Sequence, residues 1–193
     1  MPELPEVETL RRQLEQIIIG GPLIATQTFD DKLPDLSERI GRRIVAVNRR
    51  GKNLLLSFDD GRTLAVHLRM TGRLIWEEAE CTPPKYTRLV LTCPHGRIFF
   101  VDPRRFMTLA WERTFPERCG PDPLQNLCPS CLADRGKKRK VPIKSFLLDQ
   151  SVVAGIGNIY ACEILYLAGI APDRPTCSIN AQEWQQLVSA IEA

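Results

Sequence analysis

Residues 43–76 read RIVAVNRRGKNLLLSFDDGRTLAVHLRMTGRLIW, and this stretch decides the fold. Its apolar residues fall in short runs, Ile44–Val47, Leu54–Phe58, Leu64–Leu68 and Leu74–Trp76. Asp59-Asp60-Gly61 and Met70-Thr71-Gly72 interrupt them as turn signals. A period near two, broken every few residues, belongs to strands joined by tight turns. In Leu64–Leu68 the alternation puts Leu64, Val66 and Leu68 on a core face and His67 on the other, beside Arg69. Two further runs, Leu89–Thr92 and Ile98–Val101, flank the turn Pro94-His95-Gly96. Six such strands predict an antiparallel sandwich or barrel.

Outward from that core the period changes. Toward the amino terminus, Val7, Leu10, Leu14, Ile17 and Ile18 recur at helical spacing, with Pro5 and glutamates in the first turn and Gly20 behind, so residues 3–19 are expected to be helical. After Trp111 the strand signals stop. Residues 115–140 are expected to be a basic linker, leaving residues 1–114 as one domain and 141–193 as another. Three helices are expected in the latter: one from Pro142 with Ile143, Phe146 and Leu147, one over Ile159–Ala168, and one behind Asn180. Asn180 and Glu183 have capping-box spacing, and Trp184, Leu187, Val188 and Ile191 form the apolar stripe. The fold class is α+β: an antiparallel β-sandwich with a flanking helix, then an all-helical domain.

At 193 residues, 44% hydrophobic and 25% charged, the chain can bury a core without disulfides. No apolar run reaches the roughly 18 residues of a membrane span, and the opening MPELPEVETL is acidic where a signal peptide is basic. Seven cysteines, an odd number without an export signal, read as reduced thiols in a cytoplasmic protein. Cys128 and Cys131 form the sole C-x-x-C; a zinc ribbon needs a second pair, so this one reads as a loop pair.

The net charge of +3 conceals two basic blocks, +6 over residues 36–75 (nine basic, three acidic) and +5 over 101–144 (ten and five). Such blocks in a near-neutral chain suit a polyanion. Four motifs could act on one. Pro2 follows Met1, and a small second residue permits removal of Met1, exposing a secondary amine with an intrinsic pKa of about 8 beside Glu3. Gly155-Ile156-Gly157-Asn158 precedes a helix whose first N–H groups suit a phosphate, with Asn158 as the expected cap. Asp102-Pro103-Arg104-Arg105-Phe106 closes a strand with guanidiniums and an aromatic, the chemistry of a nucleic-acid wedge. Arg49-Arg50-Gly51-Lys52 lies at the mouth of a strand, ahead of His67 and Met70. Taken singly, each is equally compatible with a structural role.

PELPEVET, RRGKNLLL, HLRMTG, DPRRF and IKSFLLDQ…VAGIGNIYACEILYLAGIAPDR occur in this order, and together they resemble bacterial formamidopyrimidine-DNA glycosylase over essentially the whole chain. Leu4, rather than Gly, favours this branch over the endonuclease VIII group. The resemblance implies a helix–two-turn–helix second domain and a monomeric base-excision repair enzyme of the bacterial nucleoid. Its partner is double-stranded DNA carrying oxidised purines (8-oxoguanine, formamidopyrimidines) or abasic sites. Excision is followed by β,δ-elimination of the strand. By motif match Pro2 is the nucleophile, Glu3 the acid/base, Lys52 a phosphate-holding member of the catalytic group, and Glu6 a supporting residue. His67 and Asn158 hold phosphates; Met70, Arg104 and Phe106 fill the gap left by the extruded nucleotide, Arg104 facing the orphaned cytosine. Arg69 and Met107 stand where the family commonly has Gly.

The resemblance also implies a zinc finger, beyond residue 193, in full-length relatives. The present chain stops within a helical pattern, reads as truncated, and is expected to need no cofactor and bind no metal. The alternative functions are a non-catalytic binder of damaged or abasic DNA and a nucleic-acid module of ribosomal type; the Pro2–Glu3 pair argues against the first and the N-terminal half against the second.

Overall fold

The computed structural model describes residues 1–78, 80–111, 119–125 and 127–193, and the chain divides into two compact units, Met1–Phe115 and Pro116–Ala193.

The first unit begins with α1 (Leu4–Ile18), which buries Leu4, Val7, Leu14 and Ile18 along one stripe. Among the described residues eight antiparallel strands follow: β1 (Ala25–Thr28), β2 (Ile44–Arg50), β3 (Asn53–Phe58), β4 (Thr63–His67), β5 (Arg73–Glu77), β6 (Thr87–Cys93), β7 (Gly96–Val101) and β8 (Thr108–Trp111). They form two four-stranded sheets, ordered β1-β6-β7-β5 and β2-β3-β4-β8. Six of the eight are the expected strands; β1 and β8 carried no expectation. β1 is an edge strand with no buried residue, so no apolar alternation marks it. β8 has only four residues, and its pairing with β4 (Val66 opposite Leu109, His67 opposite Thr108) makes it a strand. Leu54, Leu56, Phe58, Leu64, Val66, Leu89, Leu91, Ile98 and Phe100 meet α1 in one core.

The second unit is helical: α2 (Pro129–Gly136), α3 (Ile143–Leu148), α4 (Asn158–Leu167) and α5 (Ala181–Glu192). Here the linker expectation is corrected, because α2 lies within residues 115–140 and buries Leu132 and Gly136. A Cβ on Gly136 would sit 2.7 Å from the Trp184 ring, so glycine permits the close approach of α2 to α5. The basic run hides this helix from sequence periodicity, since its buried face is so short. The Asn180–Glu183 capping box forms in both directions at 2.9 Å, and the ring of Phe146 meets Trp184 edge-on at 5.6 Å.

The turn Met70-Thr71-Gly72 is closely packed. A Cβ on Gly72 would lie 2.3 Å from the backbone oxygen of Leu68 and 2.8 Å from Met107 Cε. The methionine tip can yield, whereas the carbonyl cannot. Gly72→Ala is therefore expected to cost about 2 kcal/mol or more; an unchanged midpoint in chemical denaturation would contradict it.

Candidate active site

Met1 is half-exposed, Pro2 partly buried and Glu3 buried at 1% exposure. Glu3 is the N-cap of α1, and its backbone N–H donates to Glu6 Oε2 at 2.9 Å, closing a capping box. Pro5 occupies the first helical turn, where its missing N–H costs nothing. Burial favours a lowered pKa for Lys52, the Glu3 charge pulling the other way, which sets the ammonium within the field of the buried carboxylate. Lys52 reaches this position from the two-residue β2–β3 hairpin, where Gly51 takes the left-handed conformation (φ 59°) that such a turn needs.

A second carboxylate fastens the hairpin to the helix. Glu8 is desolvated, yet hydrogen bonds from Arg11, Arg12 and Arg49 outweigh burial and hold its pKa down at about 2. Arg49 Nε donates to Glu8 Oε2 at 3.0 Å, and its Nη1 to the Gly51 carbonyl at 3.0 Å. The start of the helix, which carries Glu3, and the hairpin, which carries Lys52, are thereby fastened together.

His67 ends β4 opposite Asn53. Its Nδ1 accepts from the Arg69 N–H at 3.0 Å, which leaves the proton on Nε2. Burial, then the positive charges of Arg69 and Lys52, lower its pKa to about 4. The imidazole is thus a neutral donor at physiological pH. Arg69 sits at φ 58°, a left-handed conformation that costs a residue with a side chain about 1–2 kcal/mol. A glycine would take this conformation without that cost, which accounts for the Gly common at this position in the family the sequence resembles, and Arg69 adopts it regardless.

Beyond this turn, Met70 and Phe106 are 51% and 45% exposed, so the ring does not pack into the sheet. The Arg104 guanidinium lies 4.5 Å from the Phe106 centroid, and its Nη1 reaches Met70 Sδ at 3.5 Å. The three expected wedge residues therefore form one exposed cluster. Buried Asp102 builds the loop beneath them, accepting from the N–H groups of Arg104 (3.2 Å), Phe106 (2.7 Å) and Met107 (2.6 Å) and from the Thr71 hydroxyl. Desolvation opposes its charge, but these donors together keep its pKa below the ordinary carboxylate value. Arg105 differs from its neighbour: at φ 56° it turns away to bind Asp30 and Asp31. Asp30 is buried and also holds buried Arg88, which donates to the Met107 carbonyl at 2.8 Å.

In the second unit, Asn158 is exposed at the first turn of α4. The expectation that Asn158 caps the helix is corrected: Gly157, with extended φ and ψ, occupies that position, which frees the Asn158 side chain from capping. Gln150 shapes the loop before it. Its Nε2 donates to the carbonyls of Leu148 (3.0 Å) and Ile156 (2.8 Å), and its Oε1 accepts from Gly155 N (2.9 Å). Gly155 is at φ 92°, where a side chain would be strained. Arg135 of α2 donates to the carbonyls of Ser151 and Val152.

Pro2, Glu3, Glu6, Lys52 and His67 thus gather around one corner of the first unit, Met70, Arg104 and Phe106 make a second cluster there, and Asn158 belongs to the other unit. The sequence reading gave no role to Glu8, Asp30, Arg88, Asp102, Arg105 or Gln150. Asp102 and Gln150 stood inside quoted motifs, but Asp30 and Arg88 join the loop only through tertiary contact. Among the described residues no cluster of three or more His, Cys, Asp or Glu side chains could hold a metal ion. Cys128 and Cys131 provide two thiols, too few for a four-ligand zinc site.

Neutral His67 has a linked pH signature. Its folded pKa near 4 lies below the ordinary 6.5, so the unfolded chain binds the extra proton between those values. The resulting stability is present above pH 6.5 and is lost as pH falls toward 4, by at most about 3 kcal/mol. NMR titration of the imidazole should give a midpoint near 4, and Arg69→Gly should raise it by removing a neighbouring cation. A midpoint at or above 6.5 would refute the lowered pKa.

Residues 1–109 match the family model described as formamidopyrimidine-DNA glycosylase N-terminal domain, and residues 119–193 match the formamidopyrimidine-DNA glycosylase H2TH domain. A formamidopyrimidine-DNA glycosylase of Desulfitobacterium hafniense is 40% identical over 99% of this chain and 76% of its own length. That of Herpetosiphon aurantiacus is 41% identical over 100% and 76%. The Lactococcus lactis enzyme in complex with Fapy-dG-containing DNA superposes with a TM-score of 0.91 at 30% identity, covering 99% of this chain and 76% of that one. The same enzyme non-covalently bound to DNA containing an AP site gives 0.92 at 30%, covering 98% and 77%. The chain spans about three quarters of the length of these relatives.

Proposed function

The chain belongs to the formamidopyrimidine-DNA glycosylase family, and from that premise we propose that Pro2, once Met1 is removed, is the nucleophile of a glycosylase and AP lyase. The chain is a base-excision DNA repair glycosylase, and its partner is DNA containing abasic or formamidopyrimidine lesions. The observation that carries the site assignment is the pairing of Pro2 with buried Glu3 in a helix start locked to the Lys52 hairpin.

The Pro2 nitrogen attacks C1′ of the extruded nucleotide, the C1′–N bond breaks, and the base leaves with its electron pair and a proton. Glu3 supplies a proton to the sugar-ring oxygen as the ring opens, giving a cationic imine at C1′. The imine acidifies the C2′ proton; its loss expels the 3′-phosphate, and a second elimination expels the 5′-phosphate. Hydrolysis then regenerates the amine. Glu6 keeps Glu3 oriented by accepting its backbone N–H. Lys52 and neutral His67 hold phosphate oxygens, and Asn158, at the start of α4, contributes a third contact. Extrusion is required because C1′ is out of an amine's reach in a stacked duplex. Met70, Phe106 and Arg104 occupy the vacated space, the Arg104 fork bonding the orphaned cytosine. We place this activity at the bacterial nucleoid; among the described residues no helix is long and apolar enough to cross a membrane.

Borohydride trapping on abasic DNA tests the assignment. Pro2→Gly should severely reduce the trapped adduct, and a variant retaining Met1 should abolish it; trapping by the Met1-retaining form would refute Pro2. Binding without any adduct from the mature chain would instead indicate a damage binder. Lys52→Ala should weaken binding to every sequence and flatten the salt slope by about one unit. Phe106→Ala should impair extrusion with non-specific affinity nearly intact. Equal losses in both variants at all salt concentrations would contradict this division. The 193-residue chain is further expected to purify without stoichiometric zinc, and metal analysis checks this.

A further inference from the structure

The C-x-x-C pair is not a loop pair. Cys128 is the N-cap of α2 and Cys131 is its third helical residue. Cys128 Sγ accepts from the Cys131 backbone N–H at 3.4 Å and lies 3.0 Å from Ser130 Oγ. Both thiols are exposed. Residues three apart at a helix start are neighbours on one face, and the Cys131 thiol is within hydrogen-bonding reach of Cys128.

We propose that Cys128 and Cys131 form a redox-active dithiol, oxidised reversibly to a disulfide by hydroperoxides, an activity separate from the DNA chemistry of Pro2. Cys128 attacks: its thiolate is stabilised by hydrogen bonds from Cys131, then Ser130, and by the α2 backbone, which lower its pKa to about 7. The same interaction raises that of Cys131, which therefore resolves rather than initiates. In the first step the Cys128 thiolate takes one peroxide oxygen, the O–O bond breaks, and the departing hydroxide or alkoxide acquires a proton. In the second, Cys131 sulfur attacks the sulfenic sulfur, an S–S bond forms, and water leaves with the Cys131 proton. Overall two thiols lose two hydrogens and hydrogen peroxide becomes two waters. A small dithiol reverses the change by exchange.

Other features favour this pair over the remaining thiols. Cys93 is buried and its pKa is pushed up to about 11, which makes it inert. Cys162 contacts Lys144 Nζ at 3.2 Å but has no described thiol neighbour that could resolve an oxidised sulfur. The α2 cap combines a stabilised thiolate with a second thiol three residues away.

The test uses the reduced full chain. At neutral pH a thiol of pKa about 7 is half ionised against about 1% for one near 9; allowing for its lower intrinsic nucleophilicity, Cys128 should alkylate about five-fold faster than N-acetylcysteine. Stoichiometric hydrogen peroxide should remove two hydrogens, mapped by peptide mass spectrometry to a Cys128–Cys131 bridge, and dithiothreitol should restore them. Cys131→Ser should stop at a Cys128 sulfenic acid trapped by dimedone, whereas Cys128→Ser should lose rapid oxidation; far-ultraviolet circular dichroism checks that both variants fold. Oxidation distributed over the exposed cysteines without this bridge, or alkylation of Cys128 no faster than the reference, would overturn the proposal. Borohydride trapping on abasic DNA, run in parallel, involves neither cysteine, so failure here leaves the glycosylase assignment standing and the reverse.

Discussion

The exposed cluster of Met70, Arg104 and Phe106 exists because charge is buried underneath it. Asp30, Arg88 and Asp102 are each less than 5% exposed, and they come from the segment after β1, from β6 and from the end of β7. Arg88 donates to Asp30 and to the Met107 carbonyl, and lies 3.6 Å from Asp102. Taking charges out of water costs several kcal/mol per ion unless partners replace the lost hydration. Here the partners are backbone N–H groups and guanidiniums in fixed directions, so the loop of residues 102–107 has one low-energy course. A hydrophobic core could supply comparable stability, but it would not dictate where an exposed phenyl ring and guanidinium point.

The other half of the site obeys a similar constraint at lower burial. Glu8 accepts from two arginines of its own helix and one of the hairpin. Exposed i,i+4 pairs contribute only tenths of a kcal/mol, so Arg12 alone would secure little. Arg49, itself nearly buried, makes the bond that crosses from sheet to helix. The nucleophilic role proposed for Pro2 requires this. A chain end has no covalent neighbour on one side and frays unless tied down, yet a nucleophile must be held within a fraction of an ångström of its target.

How much of this was legible in the sequence depends on whether a signal is local. Periodicity marked α1, α3, α4, α5 and six strands, because each buries a face long enough to repeat. It missed β1, which buries nothing, and α2, whose short buried face lies inside a basic run. The motif matches brought forward Pro2, Glu3, Lys52, His67, Met70, Arg104, Phe106 and Asn158, all residues carrying recognisable chemistry. The residues that aim them were silent. Asp30 is 58 residues from Arg88 and 75 from Arg105, and no spacing rule joins them. Asn158 shows the converse: its type suggests a cap, but a glycine directly before it takes the extended backbone, and the amide is left exposed.

Arg104 and Arg105 make the distinction sharpest, since composition and position cannot separate adjacent, identical side chains. Backbone geometry does. The left-handed φ of Arg105 rotates its side chain onto Asp30, where hydrogen bonds raise its pKa further and commit it to the fold. Arg104, in ordinary conformation, lies over Phe106 with its fork exposed. A guanidinium already saturated by two carboxylates gains little from a base or phosphate, whereas one resting on an aromatic face keeps its in-plane donors available. A similar division separates Arg49 from Lys52: the arginine is consumed in Glu8 and the Gly51 carbonyl, and the lysine stays in the field of the Glu3 carboxylate. In each pair one cation is committed to building the loop, and the other keeps its charge outside that network.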